Sequence, residues 1–180
     1  MKNKKELEIY MHIPFCVRKC EYCDFLSGPG SRETIEKYVE ALIKEIREHG
    51  NSRFLSQFES VTSVFLGGGT PSVLDGNQIQ LILGTLKECF CVNENAEITI
   101  ECNPGTADEE KLSTYRQIGI NRLSIGLQSA NDDELKSIGR IHNFEQFLTI
   151  YNEARRAGFD NINIDLMSAL PNQTLDSYRE

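Results

Sequence analysis

The feature of this sequence that most restricts its fold is a regular alternation of short apolar runs with longer helical patterns. The apolar runs predict five strands, at residues 7–13, 61–66, 96–102, 121–128 and 161–166. Between them, apolar residues recur at helical spacing, and Gly50, Gly119 and Gly158 mark helix ends. Strictly alternating strands and helices predict an α/β fold with a parallel sheet and right-handed crossovers.

Side chains on the predicted strands separate into a polar and an apolar face. The apolar face, with Ile100 and Ile125 near its centre, is available for packing against helices. The polar face contains Glu8, Tyr10, His12, Glu97, Thr99, Glu101, Arg122, Ser124, Gly126, Gln128, Asn163 and Asp165. A parallel sheet covered on both sides is normally apolar on both faces. The polar face therefore predicts a wide barrel lumen that holds a polar ligand, with polar strand ends facing solvent as the alternative.

Length and charge restrict the class of protein. The 180 residues predict one domain, 1–180, with no linker to a second. The net charge of -8 argues against nucleic-acid partners. Neither a membrane-length apolar run nor a signal peptide is apparent, so we expect a cytoplasmic protein. After the fifth strand, Thr174 predicts the cap of a helix that has barely begun at Glu180, which suggests a fragment whose domain is incomplete at its C-terminal end.

Three of the six cysteines follow the first predicted strand, at Cys16, Cys20 and Cys23. Thiolates this close together in a loop favour an iron–sulfur cluster, and three ligands on a four-iron cubane leave one iron open. A zinc site with His12 as a fourth ligand, a disulfide in an oxidising compartment, and unconnected buried thiols are the alternatives. The remaining cysteines, Cys89, Cys91 and Cys102, are interpreted as ordinary small core residues.

Further candidate residues lie where the other predicted strands end. The glycines 67–69 and Thr70 follow the second strand, Glu101 ends the third strand, and Gln128 and Asp165 end the next two. The carboxyl ends of the strands are where active sites of βα-barrels lie, so we expect these residues to form one site. Each has a simpler explanation: a tight turn for the glycines, a solvated acid for Glu101 and a turn cap for Asp165.

Residues 10–16, with the sequence YMHIPFC, together with Cys20, Tyr22 and Cys23, resemble the radical S-adenosylmethionine (SAM) motif. Among radical-SAM proteins, the sequence resembles one family in particular: the oxygen-independent coproporphyrinogen III oxidases and the related radical-SAM haem chaperones. It implies a [4Fe-4S] cluster on the three loop cysteines, with SAM bound at the free iron and cleaved reductively to a 5′-deoxyadenosyl radical. It also implies a partial (β/α)6 TIM-like barrel, here truncated after about five βα units. The SAM contacts that the resemblance implies are Tyr10, Tyr22, Gly68, Gly69, Thr70, Glu101, Gln128, Arg140 (on a short helix) and Asp165.

Three features favour the chaperone branch over the oxidase. Phe25 stands where the oxidase motif has a further cysteine, only nine residues precede Tyr10, and residues 139–142, GRIH, resemble the chaperones. The resemblance thus predicts a protein that binds haem and transfers it to acceptor proteins, with a flavodoxin or ferredoxin as electron donor and peripheral membrane association through the acceptors. Porphyrinogen decarboxylation by an oxidase is the alternative, as is a fragment without activity, so enzymatic activity stays open. His12 and His142 are the only histidines considered as haem ligands.

Overall fold

The computed structural model describes residues 5–179, and its strands and helices alternate as predicted. The strands are β1 (Lys5–Ile13), β2 (Phe58–Gly68), β3 (Val92–Cys102), β4 (Arg122–Gln128) and β5 (Asn161–Leu166). The helices are α1 (Arg32–Gly50), α2 (Gly76–Cys89), α3 (Glu109–Gln117), α4 (Asp132–Ser137), α5 (Phe144–Arg156) and α6 (Leu175–Arg179). The predictions that fall on residues 1–4 and on Glu180 lie outside the described residues.

All five strands are parallel and pair in their order along the chain, from β1 to β5. When consecutive strands are neighbours, right-handed crossovers return to the same side of the sheet each time. The helices accordingly contact one another in a single layer, α1 with α2, α2 with α3 and α3 with α5. This confirms the α/β prediction and leaves the second face of the sheet free to enclose a site.

The apolar core lies between the sheet and this helical layer. Leu66, Ile100, Leu123 and Ile125 have no exposed surface, and Tyr115 of α3 is equally buried. At the β5 edge of the sheet, helices cover the apolar face less completely than expected: Ile164 and Leu166 are 38% and 57% exposed. The sheet is therefore most firmly packed at its centre and least covered at β5.

Most strands start or end one to four residues away from the predicted positions, and two differences have a clear physical reason. The register between β2 and β3 shifts between the Val61–Val92 and Ser63–Glu97 pairs, so residues 93–95 form an irregular polar stretch that hid the start of β3. The helix α4 ends at Ser137, and Gly139 follows with a φ of 75°. Placing Arg140 on a short helix was therefore wrong: it lies in the loop beyond the helix.

Side-chain caps fix the starts of several helices. The Ser31 side chain accepts a hydrogen bond from the Thr34 N–H at the start of α1, and Asn143 forms a capping box with Gln146 at the start of α5. Thr174 Oγ1 accepts from the Ser177 N–H, which confirms the predicted cap of α6. Within the described part of the chain, no helix has both the length and the apolar character needed to cross a bilayer.

Candidate functional site

A cavity of about 300 Å³ lies at the carboxyl end of the sheet, and its wall is formed by β2 to β5 and by the cysteine-bearing loop that follows β1. Its size falls in the range of small-molecule sites, roughly 300–1,000 Å³. Among the predicted site residues it is lined by Cys16, Cys20, Cys23, Tyr22, Gly68, Gly69, Thr70, Glu101, Gln128, Arg140 and Asp165. The structure thus brings together eleven of the twelve predicted residues, from six separate segments of the chain.

The cysteine loop between β1 and α1 is closed by backbone hydrogen bonds. The Cys16 N–H donates to the Gly28 carbonyl at 3.0 Å, and the Gly28 N–H donates to the Pro14 carbonyl at 3.0 Å. A further bond, from the Cys23 N–H to the Cys20 carbonyl at 3.2 Å, forms a turn inside the loop. All three thiols are free and half-buried on the cavity wall. None of the three forms a disulfide in the described structure.

The donor set of this loop consists of three thiols, the ligand type that holds iron–sulfur clusters. In residues 5–179, no three His, Cys, Asp or Glu side chains converge closely enough to hold one metal ion. A cubane is held at separate corners by separate thiolates, so its ligands need not converge on one point. His12, the fourth ligand of the zinc alternative, is engaged elsewhere, with Nδ1 3.0 Å from the Tyr10 hydroxyl and Nε2 3.1 Å from the Leu26 carbonyl.

The glycine loop after β2 packs directly against the backbone of the cysteine loop. The Gly69 N–H donates to the Ile13 carbonyl at 2.8 Å, and the Thr70 N–H donates to the Phe15 carbonyl at 2.7 Å. A Cβ on Gly69 would lie 2.6 Å from the Phe15 carbonyl oxygen. Gly68 has a φ of 111°, which side-chain-bearing residues rarely adopt. The glycines are thus needed for close backbone approach beside the first cysteine.

Two carboxylates face the cavity from β3 and β5. Glu101 Oε2 accepts a hydrogen bond from the Gly68 N–H at 3.0 Å. Burial raises the pKa of Glu101, with the negative charge of Asp165 adding to the effect and the Gly68 bond opposing it. Asp165 Oδ1 accepts from Asn163 Nδ2 at 2.7 Å, and the Ser124 hydroxyl lies 3.3 Å away. Both acids are therefore held in fixed positions with oxygens available to hydroxyl or amino groups.

Asn103, a residue that the sequence did not single out, joins two walls of the cavity. Its Nδ2 donates to Thr70 Oγ1 at 2.8 Å, and its Oδ1 accepts from Arg140 Nη2 at 2.7 Å. Thr70 Oγ1 in turn lies 3.6 Å from Cys16 Sγ, and Arg140 Nη1 lies 3.7 Å from Cys20 Sγ. One amide thus connects hydroxyl and guanidinium donors that face two of the three thiols. Its position two residues after Glu101 was the only signal in the sequence.

The two predicted tyrosines differ in their placement. Tyr22 lines the cavity, and burial raises its pKa to about 12 against the opposing charge of Arg140, so it is a neutral phenol. Tyr10 is 57% exposed and stacks on Phe65 with ring centroids 6.1 Å apart, outside the cavity lining. Tyr10 is therefore the one predicted contact that the geometry leaves apart from the others.

The remaining cysteines behave as ordinary thiols. Cys102 lies at the end of β3, is 2% exposed, and burial raises its pKa to about 12. Cys91 is exposed and Cys89 is half-buried, and neither lines the cavity. Of the histidines considered for haem, His12 makes the two contacts above and His142 is 5% exposed. Neither offers a free, accessible ring nitrogen in this arrangement.

Comparison with known proteins shows what this chain resembles. A profile of the Radical SAM superfamily matches residues 10–180. The heme chaperone HemW of Haemophilus influenzae is 40% identical over 179 residues, 98% of this chain and 46% of that protein. HemW of Escherichia coli is 39% identical over 171 residues, 94% of this chain and 44% of that protein.

Among solved structures, coproporphyrinogen III oxidase (HemN) from Escherichia coli, described as a radical SAM enzyme, superposes with a TM-score of 0.88 at 34% identity. The match covers 98% of this chain and 40% of that one. The chain therefore spans somewhat less than half the length of the relatives it matches, and its fold is that of a radical-SAM TIM-like barrel over the matched part.

Proposed function

This chain belongs to the Radical SAM superfamily, and on that premise we propose that Cys16, Cys20 and Cys23 hold a [4Fe-4S] cluster beside a SAM site. The observation that carries the proposal is the convergence of the ends of β2 to β5 on one cavity that the three free thiols of the loop after β1 also line. Such a cluster, when reduced, supplies the electron that cleaves SAM. Six free thiols support a reducing compartment such as the cytoplasm.

The chain's own groups match the polar parts of SAM. The carboxylates of Glu101 and Asp165 suit the ribose hydroxyls and the amino group, because ionised carboxylates only accept hydrogen bonds. The backbone at Gly68–Gly69 approaches closely, since no Cβ intervenes. Arg140 supplies a cationic donor for the SAM carboxylate. We propose Tyr22, Thr70 and Gln128 as further contacts from the cavity wall, and Tyr10 as a contact only if its ring turns toward the cavity.

For the whole protein we propose a haem chaperone, which binds haem and passes it to an acceptor protein. The support is the 40% and 39% identity to two heme chaperones, against 34% to the oxidase structure. Phe25, which lines the cavity two residues beyond Cys23, is compatible with a cluster that has no additional cysteine there. The proposal includes a flavodoxin or ferredoxin as electron donor and a second protein that accepts the haem. It also includes peripheral membrane association through that acceptor.

Decarboxylation of coproporphyrinogen III is the second candidate, favoured by the TM-score of 0.88 to the oxidase.

The cluster is tested by anaerobic reconstitution with iron and sulfide, comparing Cys20→Ala with Cys91→Ala. Cys20 lines the cavity, whereas Cys91 is exposed outside it, so the second variant controls for the loss of a thiol. We expect the charge-transfer absorbance and about four irons per chain in the unchanged protein and in Cys91→Ala, and neither in Cys20→Ala. Zinc bound in place of iron, or equal cluster content in both variants, would contradict the proposal.

The two candidate functions are separated with the reconstituted protein in two assays. Haem is titrated and followed by absorbance, and coproporphyrinogen III is incubated with SAM and a reductant and followed by porphyrin analysis. Stable haem binding without decarboxylated product supports the chaperone. Efficient conversion of coproporphyrinogen III would establish the oxidase instead.

A further inference from the structure

The guanidinium of Arg140 has partners on both terminal nitrogens but none on Nε. Nη2 donates to Asn103 Oδ1 at 2.7 Å and to the Gly126 carbonyl, and Nη1 faces Cys20 Sγ at 3.7 Å and the Tyr22 hydroxyl at 3.5 Å. The Nε atom is buried, and the described residues provide it with no hydrogen-bond acceptor. Buried N–H groups in folded proteins are almost always hydrogen-bonded, so this group calls for a partner.

A second buried atom with the same deficit lies close by. His142 is 5% exposed, and its Nδ1 has no hydrogen-bond partner among the described residues. Arg140 and His142 both line one small cavity of about 20 Å³, which adjoins the large one at Thr70 and Arg140 and is bordered also by Thr106. The two residues therefore border one small volume, and their unpartnered atoms need not be isolated defects.

The hydrogen-bonding roles of the two atoms are complementary. His142 Nε2 lies 3.3 Å from the Leu127 carbonyl, which can only accept, so the ring proton is on Nε2. Burial, reinforced by the charge of Arg140 and opposed by the Leu127 bond and by Asp132, lowers the pKa of His142 to about 4. The ring is therefore neutral at pH 7, and Nδ1 is an acceptor. The small cavity is left with one donor, Arg140 Nε–H, and one acceptor.

A water molecule satisfies both groups at once. One water needs a cavity of roughly 10–15 Å³ or more and two to four polar partners, and about 20 Å³ with a donor, an acceptor and two threonines meets both conditions. We propose that a single buried water accepts from Arg140 Nε–H and donates to His142 Nδ1, and that His142 is thereby a positioning residue for Arg140. With Nε fixed, the plane of the guanidinium is fixed, and Nη1 stays directed at Cys20.

The water and the proton positions are tested on the isotopically labelled chain without cofactor. The expected NMR result is an Arg140 Nε–H that exchanges slowly with solvent and contacts a long-lived water, and a His142 ring in the Nε2–H form. His142→Phe keeps an aromatic ring but removes the acceptor, so the Nε–H exchanges about tenfold faster. His142→Gln keeps an acceptor and restores slow exchange, and His49→Phe, an exposed position on α1, leaves it unchanged. An Nδ1–H ring, or equal exchange in His142→Phe, would overturn the proposal.

The consequence for Arg140 rests on the proposed function and is measured separately, as SAM affinity of the reconstituted protein. His142→Phe is expected to raise the Kd for SAM about tenfold at unchanged iron content, and His142→Gln to restore it. An unchanged Kd in His142→Phe would overturn the positioning role. If the unchanged protein failed to bind SAM, the proposed function would be wrong, while the NMR result would still decide the water site.

Discussion

Among single residues in the cavity, Glu101 has an environment that opposes its own charge. Burial and the nearby Asp165 both raise its pKa, and one backbone N–H from Gly68 is the compensating contact. Because the folded-state pKa lies above the ordinary value of 4.5, ionised Glu101 costs folding free energy at neutral pH. Its favourable contribution is fully present below that ordinary value and is lost as the pH rises through the folded-state pKa.

We therefore predict that Glu101→Gln stabilises the cofactor-free chain at pH 7. Gln keeps an oxygen for the Gly68 N–H but removes the buried charge, so the thermal midpoint should rise by about 2–4 °C, the effect of about 1 kcal/mol in a chain of this length. Thermal unfolding is measured at pH 7 and at pH 4, where the gain should disappear because Glu101 is then protonated. Glu94→Gln, an exposed acid on the same strand, serves as the control. A gain of equal size in the control, or one that persists at pH 4, would show that the cavity charge is not the cause.

Between elements, the contact that organises the site is the one between the cysteine loop and the glycine loop. Gly69 and Thr70 donate backbone hydrogen bonds to carbonyls on either side of Pro14, immediately before Cys16. The position of the first thiol is therefore set by β2 as much as by its own strand.

Gly69→Ala is predicted to separate these two loops. The new Cβ would lie 2.6 Å and 2.8 Å from two backbone carbonyl oxygens, which have no flexible side chain to move aside. We expect a loss of about 2–3 kcal/mol in the free energy of unfolding and poorer cluster assembly. Gly84→Ala is the matched control: Gly84 lies in α2 with open space around it, so alanine should stabilise by about 0.5–1 kcal/mol. Denaturant unfolding of both variants checks this, and similar stabilities would refute the close-approach role of Gly69.

The order and type of the elements were predictable from the sequence, because apolar periodicity and glycine stops are local signals. The same holds for most of the site: parallel strands end at one edge, so Glu101, Gln128 and Asp165 were expected together, and the structure places them on one cavity. Asn103 could not be found in this way, because its role depends on hydrogen bonds to Thr70 and Arg140, which lie in two other loops. The placement of the Tyr10 ring could not be predicted for a related reason: strand register puts Tyr10 on the polar face, but stacking on Phe65 decides where its ring lies.

Across the whole sheet, β5 has the weakest support and yet carries a cavity carboxylate. In the described chain it pairs only with β4, and two of its outward side chains are substantially exposed. Local opening is easiest where few apolar contacts hold a segment. Asp165, however, is linked to Ser124 of β4 on the inner face, so a ligand bound there would tie β5 to the rest of the sheet.

The effect of ligand binding on amide hydrogen exchange should therefore be largest in β5, which lies at the opposite edge of the sheet from β1 and the cysteine loop. Without cofactor, residues 161–166 are expected to exchange fastest of the five strands. With the cluster assembled and SAM at about 100 times its Kd, binding contributes about 2.7 kcal/mol, so exchange there slows by up to about a hundredfold. Asp165→Asn should lose most of this SAM-dependent protection at unchanged cluster absorbance, because the amide cannot accept at both positions. Protection confined to the cysteine and glycine loops would mean that the ligand does not reach β5, and that Asp165 has a structural role only.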